Sequence, residues 1–391
     1  MSGRAVTLAL VDRAGQPLGA LPLPGVTRTP WWQQVDDVAD LARSACGIDV
    51  TVLRLLSADR PAPPGGAVTY LAEYDGPPPP GLDRAAVGPE WTEPHPLRMP
   101  WARPGGPAEA LAWADRLLGV RSARQWRTWN LSSLWRLDTD HGVAWLKEVP
   151  PFFGHEGTLL RWLDRPCTPV VLGAEGHRTL LADLPGPDQH GAGPLARAAM
   201  LADLLALQTE LAGRIPDLLA LGVPDLRAVP LRERIEELLA EYPATRDRGV
   251  LDDLAGGLAG RFARVESCGV PDTLMHGDFH PGNVLDGVII DWGDSAVAHP
   301  AFDLIRMRDW HVGGPAPALT EQWCDHWRRV VPGSDPRRAL ELLAPVAALR
   351  GAIAYGGFLR QIEPSERPYH ADDVPAMLAE AVTLHRTSWR A

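Results

Sequence analysis

Lysine is almost absent from this sequence. Of the 38 lysine and arginine residues in the 391-residue chain, only Lys147 is a lysine. Proline, glycine, alanine and arginine are frequent, which suggests a GC-rich genome in which arginine replaces lysine wherever the protein tolerates it. A lysine that acts as a compact point charge could not be replaced in this way. We therefore expect a functional role for Lys147, against the alternative of an ordinary surface residue.

Cysteine and long apolar runs are also scarce. The four cysteines show no C-x-x-C spacing, so neither a zinc site nor a disulfide framework is implied. The first residues contain no apolar stretch of the length that a signal peptide needs. No run of about 18 apolar residues predicts a transmembrane helix. We expect a cytoplasmic protein without a membrane partner.

Positive charge is in deficit, because the formal net charge is −11 and the isoelectric point is about 5.5. This balance argues against non-specific binding to nucleic acid and mildly favours a cationic or neutral small substrate. Apolar residues make up 45% of the chain, which is enough for a buried core. The length allows two or three domains.

Hydrophobic periodicity and proline content divide the chain into four segments. Residues 1–75 alternate between predicted strands and one helix, and residues 76–107 form a Pro/Gly-rich linker. Residues 108–184 open with a helix and continue as antiparallel strands with one further helix. Residues 185–391 are mostly helical, with a non-helical island at 275–290. The pattern predicts an α+β protein with a small β lobe and a large helical lobe.

The island contains a hairpin signal with chemistry at its ends. Asp286-Gly287 separates two short apolar runs, which is a strong signal for a two-residue turn. That turn places Asn283 opposite Ile290, and Asp291 one step further along. An amide oxygen and a carboxylate brought together in this way suit a hard divalent cation such as Mg²⁺.

Asp278 lies five residues before Asn283, in a segment that reads H-x-D-x-x-x-x-N from His276. In the kinase catalytic loop with this spacing, the aspartate accepts the proton of the attacking hydroxyl. Asp278 is therefore our candidate catalytic base. Two alternatives are turn or capping residues and a hydrolase metal site that uses His276, Asp278 and His280.

Together, residues 276–283 and 290–294 resemble the signature of the aminoglycoside phosphotransferase and choline kinase family, which has a bilobal protein-kinase-like fold. The resemblance covers residues 120–391. It implies ATP and Mg²⁺ as cofactors, Asp278 as base, Asn283 and Asp291 as Mg²⁺ ligands, and His276 as support for the loop. It also implies that Asp303 steadies the loop, although the preceding His299-Pro300 departs from the family's Asp-Pro. Asp294 fits either a supporting position behind the metal or turn chemistry.

The resemblance also gives Lys147 a role. In kinases a lysine at the end of this strand pairs with the ATP phosphates and with a glutamate on the next helix. Glu156 is our candidate for that glutamate, since the side chain of Glu148 should point to the other face of the sheet. Residues 180–184 resemble the segment that joins the lobes, so the backbone around Ala182 and Leu184 should bind adenine.

The loop that should cover the phosphates, residues 130–134, departs from the protein-kinase pattern because it contains no glycine. We expect Ser132 and Ser133 to replace the glycines with backbone N–H and hydroxyl donors.

The N-terminal segment resembles the Nudix fold, because residues 36–53 have the rhythm of a Nudix helix running into a strand. The catalytic motif would fall on residues 40–48. Asp40, Leu41, Ser44 and Ala45 stand where its arginine and three glutamates should be. We expect a non-catalytic accessory domain.

The predicted function is transfer of the γ-phosphoryl group of ATP to a hydroxyl of a small molecule, such as an aminoglycoside-like antibiotic, an amino alcohol or a sugar. A regulatory protein that binds nucleotide without turnover is the main alternative. The acceptor site could use the tryptophans Trp310, Trp323 and Trp327. It could also use acidic residues that otherwise form a solvated acidic face, namely Glu363, Glu366, Asp372 and Asp373.

Overall fold

A computed structural model describes residues 3–243, 247–308 and 317–388. The chain forms two compact units. The first comprises the residues up to Gly157, Val171–Asp183 and Phe358–Ala371, and the second comprises Thr158–Val170, Leu184–Gly357 and the residues from Asp372 onward. Trp310 lies outside the described residues.

The first unit begins with a four-stranded mixed sheet. Its strands are β1 (Ala5–Val11), β2 (Pro17–Pro22), β3 (Thr51–Ala58) and β4 (Ala67–Glu73), in the order β2-β1-β4-β3. The β1–β4 pair is parallel and the other two pairs are antiparallel. Helix α1 (Asp36–Cys46) packs its apolar face, including Val38 and Ala42, into the core of this sheet. The predicted strands and helix are confirmed, and β2 was not predicted.

The segment predicted as a linker packs into the first unit. Short 3₁₀ turns form at Pro89–Trp91 and Pro100–Ala102, and the side chains of Trp91 and Trp101 are buried. Isolated aromatic side chains anchor this segment without any helix or strand period, so hydrophobic periodicity could not reveal its packing. Helix α2 (Gly106–Leu118) follows.

A second, five-stranded antiparallel sheet completes the first unit. Its strands are β5 (Val120–Trp129), β6 (Ser132–Thr139), β7 (Gly142–Glu148), β8 (Val171–Glu175) and β9 (Arg178–Ala182), in the order β5-β6-β7-β9-β8. Helix α3 (Glu156–Leu163) follows β7 in the chain. Trp113 of α2 packs with Trp135, Leu146 and Leu180 to form the core on one face of the sheet.

Residues 358–371 bring two glutamates into the interior of the first unit. Arg98 donates to both carboxylate oxygens of Glu363, at 2.9 and 3.0 Å, and the Nε of buried Arg54 lies 3.8 Å from the same group. Glu366 is also buried. Its burial and, to a smaller extent, repulsion from Glu363 raise its pKa to about 8. Our expectation of an acidic acceptor site or a solvated face is therefore wrong for Glu363 and Glu366.

The second unit is mainly helical. Its helices are α4 (Pro194–Leu211), α5 (Ile215–Ala220), α6 (Ala228–Glu241), α7 (Arg248–Gly256), α8 (Leu258–Ser267), α9 (Ala301–Arg308), α10 (Pro317–Val330), α11 (Pro336–Gln361) and α12 (Asp373–Ser388). Two antiparallel strand pairs interrupt them: β10 (Thr273–Met275) with β13 (Ala296–Ala298), and β11 (Val284–Leu285) with β12 (Val288–Ile289).

Two expectations for this unit are corrected. Within the region predicted as mostly helical, hydrophobic periodicity alone predicts one helix over residues 251–265, but α7 and α8 are separate because Gly256 and Gly257 together break the helix. Trp323 and Trp327 are fully buried and pack edge-to-face against each other, so they belong to the core and not to an acceptor site. Asp372 and Asp373 lie at the start of α12, and Asp372 is exposed.

Helix α11 is long and apolar enough to cross a membrane, although the sequence contains no continuous apolar run that predicted such a helix. It has 26 residues, but 56% of its most apolar 18-residue stretch is buried inside the structure. A buried core helix of a globular protein meets the same criteria.

We predict that Glu363→Gln destabilises the first unit. The substitution leaves Arg98 and Arg54 without their carboxylate in the interior, and breaking a buried pair in this way costs about 3–5 kcal/mol. The unfolding midpoint of the full chain should fall clearly in a thermal or denaturant scan. Glu109→Gln, at an exposed position of α2, is the matched control, and an equal effect of the two substitutions would contradict the prediction.

Candidate active site

The hairpin β11–β12 has the predicted register. Val284 pairs with Ile289 and Leu285 with Val288, and the N–H of Ile290 donates to the carbonyl of Asn283 at 2.9 Å. The turn residues Asp286 and Gly287 have φ of 47° and 80°, as a type I′ turn requires. The hairpin thereby brings Asn283 close to Asp291, the residue after Ile290.

Asp291, the residue after Ile290, has a strained backbone. Its φ is 65°, a conformation that non-glycine residues rarely adopt, and its side chain is exposed. Such strain persists only where the surroundings impose it, and it is concentrated at functional sites. The hairpin therefore presents an exposed carboxylate beside an amide.

The loop before the hairpin is held by His276, which is fully buried. Its Nδ1 accepts the N–H of Asp278 at 3.3 Å, so the proton resides on Nε2, which donates to the carbonyl of Ile290 at 2.9 Å. Burial lowers the pKa of His276 and keeps the ring neutral. A single imidazole thus joins the loop to the end of the hairpin, which agrees with the supporting position predicted for it.

Asp303 on α9 fixes the same loop through hydrogen bonds to its backbone. Its Oδ2 accepts the N–H of His276 and the amide of Gln208 on α4, both at 2.8 Å, and its Oδ1 accepts the N–H of Gly277 at 2.9 Å. Burial raises the pKa of Asp303, and the donated hydrogen bonds oppose that shift. The looser match at His299-Pro300 has not altered this arrangement.

Gly277 occupies a position that only glycine fits. Its φ is 90°, and a Cβ there would lie 2.1 Å from the carbonyl oxygen of Asp294. Its own carbonyl accepts from Nη2 of Arg350 on α11 at 2.6 Å. Hydrogen bonds to both the N–H and the carbonyl of Gly277 therefore fix the backbone that leads into Asp278.

Asp278 receives hydrogen bonds on both carboxylate oxygens. Arg306 donates to Oδ1 at 2.7 Å, and Oδ2 accepts from Asn283 Nδ2 at 3.2 Å and contacts His280 Nε2 at 3.3 Å. Burial opposes ionisation, but the hydrogen bond from His280 and the charge of Arg306 outweigh it and hold the pKa of Asp278 well below its usual range. The carboxylate is ionised at neutral pH.

Asn283 is oriented by the same contacts. Its Nδ2 also donates to the backbone carbonyl of Asp278 at 3.0 Å. With the nitrogen end of the amide committed to Asp278, the oxygen end is the part of the side chain suited to a cation. Amide and carboxylate oxygens, as Asn283 and Asp291 offer, fit the preferences of Mg²⁺.

Arg306 was missed by the sequence reasoning. It lies three residues after Asp303 on α9, so both side chains share one face of the helix and the spacing was a usable signal. Burial lowers the pKa of Arg306, but the charge and hydrogen bond of Asp278 outweigh it, and Asp294 acts in the same direction. Asp294 is thus close enough to influence Arg306, and its own role stays a prediction.

The histidines are poorly placed to serve a metal-dependent hydrolase. Both nitrogens of His276 are engaged with the backbone, and His280 Nδ1 accepts the N–H of Gly282 at 3.0 Å while its Nε2 faces Asp278. A histidine ligand must offer a ring lone pair to the metal. Within residues 3–243, 247–308 and 317–388, no group of three or more His, Cys, Asp or Glu side chains could hold a metal ion.

Lys147, at the end of β7 in the first unit, pairs with Glu156 at the start of α3. The distance from Nζ to Oε1 is 2.7 Å, and both side chains are largely buried. Glu148, the competitor, lies 3.4 Å from His177 and 3.6 Å from Arg178. Lys147 thus pairs with Glu156 and not with Glu148, as expected because successive residues of a strand point to opposite faces. The role of this pair in nucleotide binding stays a prediction.

The expectation for the serines is corrected in part. The connection between β5 and β6 is only a two-residue turn, Asn130-Leu131, and both serines lie within β6. Ser133 is buried, and its hydroxyl accepts from the indole of Trp135, so it does not face an open phosphate site. Ser132 is partly exposed and accepts from Trp129, which leaves it as a candidate.

The segment predicted to bind adenine begins at the end of β9. Ala182 is the last residue of β9 and pairs with Ala144 of β7, and Asp183 accepts the indole N–H of Trp145 at 2.7 Å. Leu184 follows, outside any regular element, so its backbone groups do not belong to a sheet ladder.

Comparison with known proteins identifies the family. A sequence profile described as "Phosphotransferase enzyme family" matches residues 140–342, just over half of the chain, and includes every residue of the catalytic loop and hairpin. The chain belongs to this phosphotransferase family. It is therefore a small-molecule phosphotransferase, and the resemblance read from the motif is confirmed. The Nudix resemblance and the predicted domain boundaries stay predictions.

Solved structures agree on the protein-kinase-like fold. A Ralstonia eutropha protein provisionally assigned as an aminoglycoside phosphotransferase is 17% identical, with a TM-score of 0.52 over 73% of this chain and 98% of its own. Ethanolamine kinase of Plasmodium vivax is 10% identical, with a TM-score of 0.51 over 68% of this chain and 84% of its own. Comparison with curated protein sequences gives no significant match.

We predict that Lys147→Arg impairs the enzyme although it keeps the positive charge. A planar guanidinium with five N–H donors cannot take the place of a compact ammonium held against Glu156. The KM for ATP should rise or kcat should fall by about tenfold or more, measured by steady-state kinetics. Arg121→Lys, an exposed position on β5, is the control. Wild-type kinetics for Lys147→Arg would mean that the single lysine is an accident of composition.

Proposed function

We propose that this enzyme transfers the γ-phosphoryl group of ATP, with Mg²⁺, to a hydroxyl group of a small molecule. The observation that carries the proposal is the constellation around Asp278, in which an ionised carboxylate, an oriented amide and an exposed carboxylate converge on one hairpin. Phosphoryl transfer depends mainly on positioning and charge neutralisation, for which such groups suffice.

Asp278 would accept a hydrogen bond from the attacking hydroxyl through Oδ1, to which Arg306 is the one donor among the described residues. Oδ2 already meets Asn283 and His280, so Oδ1 is the better-placed acceptor. Because its pKa is low, Asp278 is a weak base that orients the hydroxyl and takes its proton late. This suits a reaction in which the bond to the leaving group breaks early.

Asn283 and Asp291 would hold Mg²⁺ through oxygen atoms, with phosphate oxygens and water completing the shell. The bound metal would neutralise charge on the transferred phosphate. The commitment of Asn283 Nδ2 to Asp278 supports this assignment, because it leaves the amide oxygen for the cation.

Lys147, held by Glu156, would bind the phosphates of ATP, and the backbone at Ala182 and Leu184 would bind the adenine. The ordered pairing of the chain's one lysine with a helix glutamate supports this assignment, since a lysine on the surface would need no such partner. Ser132 remains a candidate donor to the phosphates.

The acceptor class stays open among aminoglycoside-like antibiotics, amino alcohols and sugars. The similar solved structures include proteins named for an aminoglycoside and for ethanolamine, and both compounds carry amine and hydroxyl groups. Cytoplasmic location is consistent with ATP as the donor and is part of the proposal.

The direct test is a Mg²⁺-ATP consumption screen over a panel of hydroxylated small molecules. We expect acceptor-dependent release of ADP from the wild type and a loss of kcat by several powers of ten in Asp278→Asn, with ATP binding little changed. Asp252→Asn, at an exposed position of α7 outside the catalytic loop and hairpin, is the control. ATP binding without turnover over the whole panel would instead favour a regulatory protein, and activity without ATP would favour a hydrolase.

A second prediction concerns pH. A carboxylate whose pKa is depressed in the folded enzyme stays active until the pH falls through that low value. Arg306→Met removes the neighbouring charge, so the pKa of Asp278 should rise and the acid limb of the kcat profile should move to higher pH. The measurement is kcat against pH with the acceptor found in the screen.

Arg306→Lys is the matched control for this experiment, because it keeps the charge and should keep most of the acid-side activity. An acid limb that does not move in Arg306→Met would show that Arg306 does not set the ionisation of Asp278. A parallel fall of activity at every pH would indicate a purely positional role.

A further inference from the structure

The helical unit contains a cavity, outside the candidate active site, whose lining is positively charged although the protein as a whole is negatively charged. The cavity has a volume of about 580 Å³ and is lined by residues of α7, α8, α9, α10, α11 and α12. Five of the lining residues are arginines, although the chain carries a net charge of −11. They are Arg261, Arg264, Arg308, Arg337 and Arg338.

Arg261 lies deepest among these arginines. Only 6% of the residue is exposed, and its guanidinium donates to the carbonyl of Leu342 at 2.8 Å and faces His385 Nδ1 at 3.2 Å. Burial, followed by repulsion from Arg264 and Arg338, lowers the pKa of Arg261. Both partners are neutral groups, so the charge of Arg261 is solvated by dipoles and is not cancelled by a carboxylate of the described residues.

The remaining positive charge is only partly balanced. Arg264 is exposed, and its guanidinium has no ion pair within the described ranges of the chain. Arg337 pairs with Glu321 and Arg338 pairs with Glu341, but all four side chains are about half exposed. Pairs of this kind contribute little and rearrange at small cost. Asp253 and Glu341 also line the cavity, but neither Arg261 nor Arg264 has an ion pair with a carboxylate among the described residues.

We propose that this cavity is a binding site for a phosphate-bearing small molecule, separate from the site that performs the phosphoryl transfer. A planar guanidinium matches two phosphate oxygens at once, so several convergent arginines favour phosphate over a single carboxylate. The cavity volume lies in the usual range for small-molecule sites. Thr320 and His385 add a hydroxyl and an imidazole to the lining.

The site adjoins the elements that hold the catalytic loop. Arg308, one of the five, ends helix α9, and the same helix carries Asp303 and Arg306. A phosphate bound at Arg308 would therefore contact the helix that positions Asp278. The binding proposal itself does not depend on the proposed function, because it rests on residues that take no part in the transfer.

The test is calorimetric titration of the full chain with inorganic phosphate and with pyrophosphate. The titrations are run in EDTA and at matched ionic strength, so that magnesium-dependent binding and general salt effects are excluded. Repeating them in Lys147→Met separates this cavity from the proposed ATP site. We expect saturable binding in both proteins, at concentrations up to about 10 mM.

Arg264→Gln is the decisive variant, because Arg264 is exposed and its replacement should not disturb folding. Losing a charge-assisted contact to phosphate should weaken binding by about tenfold or more. Arg261→Met should abolish binding if that variant folds. Arg328→Gln, an exposed arginine of α10 that pairs with Asp325 outside the cavity, is the matched control and should bind as the wild type does.

The proposal would be overturned by the absence of saturable binding by either anion, by binding that Arg264→Gln leaves unchanged, or by binding that Lys147→Met abolishes. Equal weakening by Arg264→Gln and Arg328→Gln would also overturn it, because that result means general attraction to positive charge.

Discussion

The candidate active site depends on one buried carboxylate. Asp303 accepts two consecutive backbone N–H groups, from His276 and Gly277, together with the amide of Gln208. Two consecutive peptide groups held by one carboxylate leave the following residue little freedom, so the position of Asp278 follows from Asp303. Burial raises the pKa of this carboxyl, and the donated hydrogen bonds are what makes a buried anion tolerable there.

Helix α9 carries both the anchor and the partner of Asp278. Asp303 fixes the backbone of the loop, and Arg306, one helical turn later, fixes the carboxylate through Oδ1. The guanidinium of Arg306 that orients Asp278 also lowers its pKa, so Asp278 is well oriented but is a weaker base. An enzyme that abstracts a proton from carbon could not work with so weak a base. The proposed phosphoryl transfer can, because a hydroxyl acceptor would need positioning more than it would need a strong base.

Local chemistry explains which parts of the site the sequence revealed. The Asp286-Gly287 turn determines the register of the hairpin, and strand alternation places Glu148 on the opposite face of the sheet from Lys147, so both arrangements were predictable. Burial of Glu363 was not, because Arg98 and Arg54 lie more than 250 residues earlier in the chain. The fold class followed from periodicity, whereas Ser133 was misjudged because the turn before β6 is shorter than a phosphate-binding loop.

The scarcity of lysine gives a last constraint. Arginine can replace lysine in the interior only where the fold supplies several acceptors, and this chain does so repeatedly. Arg4 donates to the carbonyls of Thr29, Trp31 and Gln34 and to Asp37, and Arg54 donates to three backbone carbonyls. A site that binds and releases a ligand cannot satisfy every N–H donor of an arginine with fixed protein carbonyls and carboxylates in this way. A cation there has to be compact and to keep its remaining donors for the ligand, and of the two residues only lysine meets both conditions.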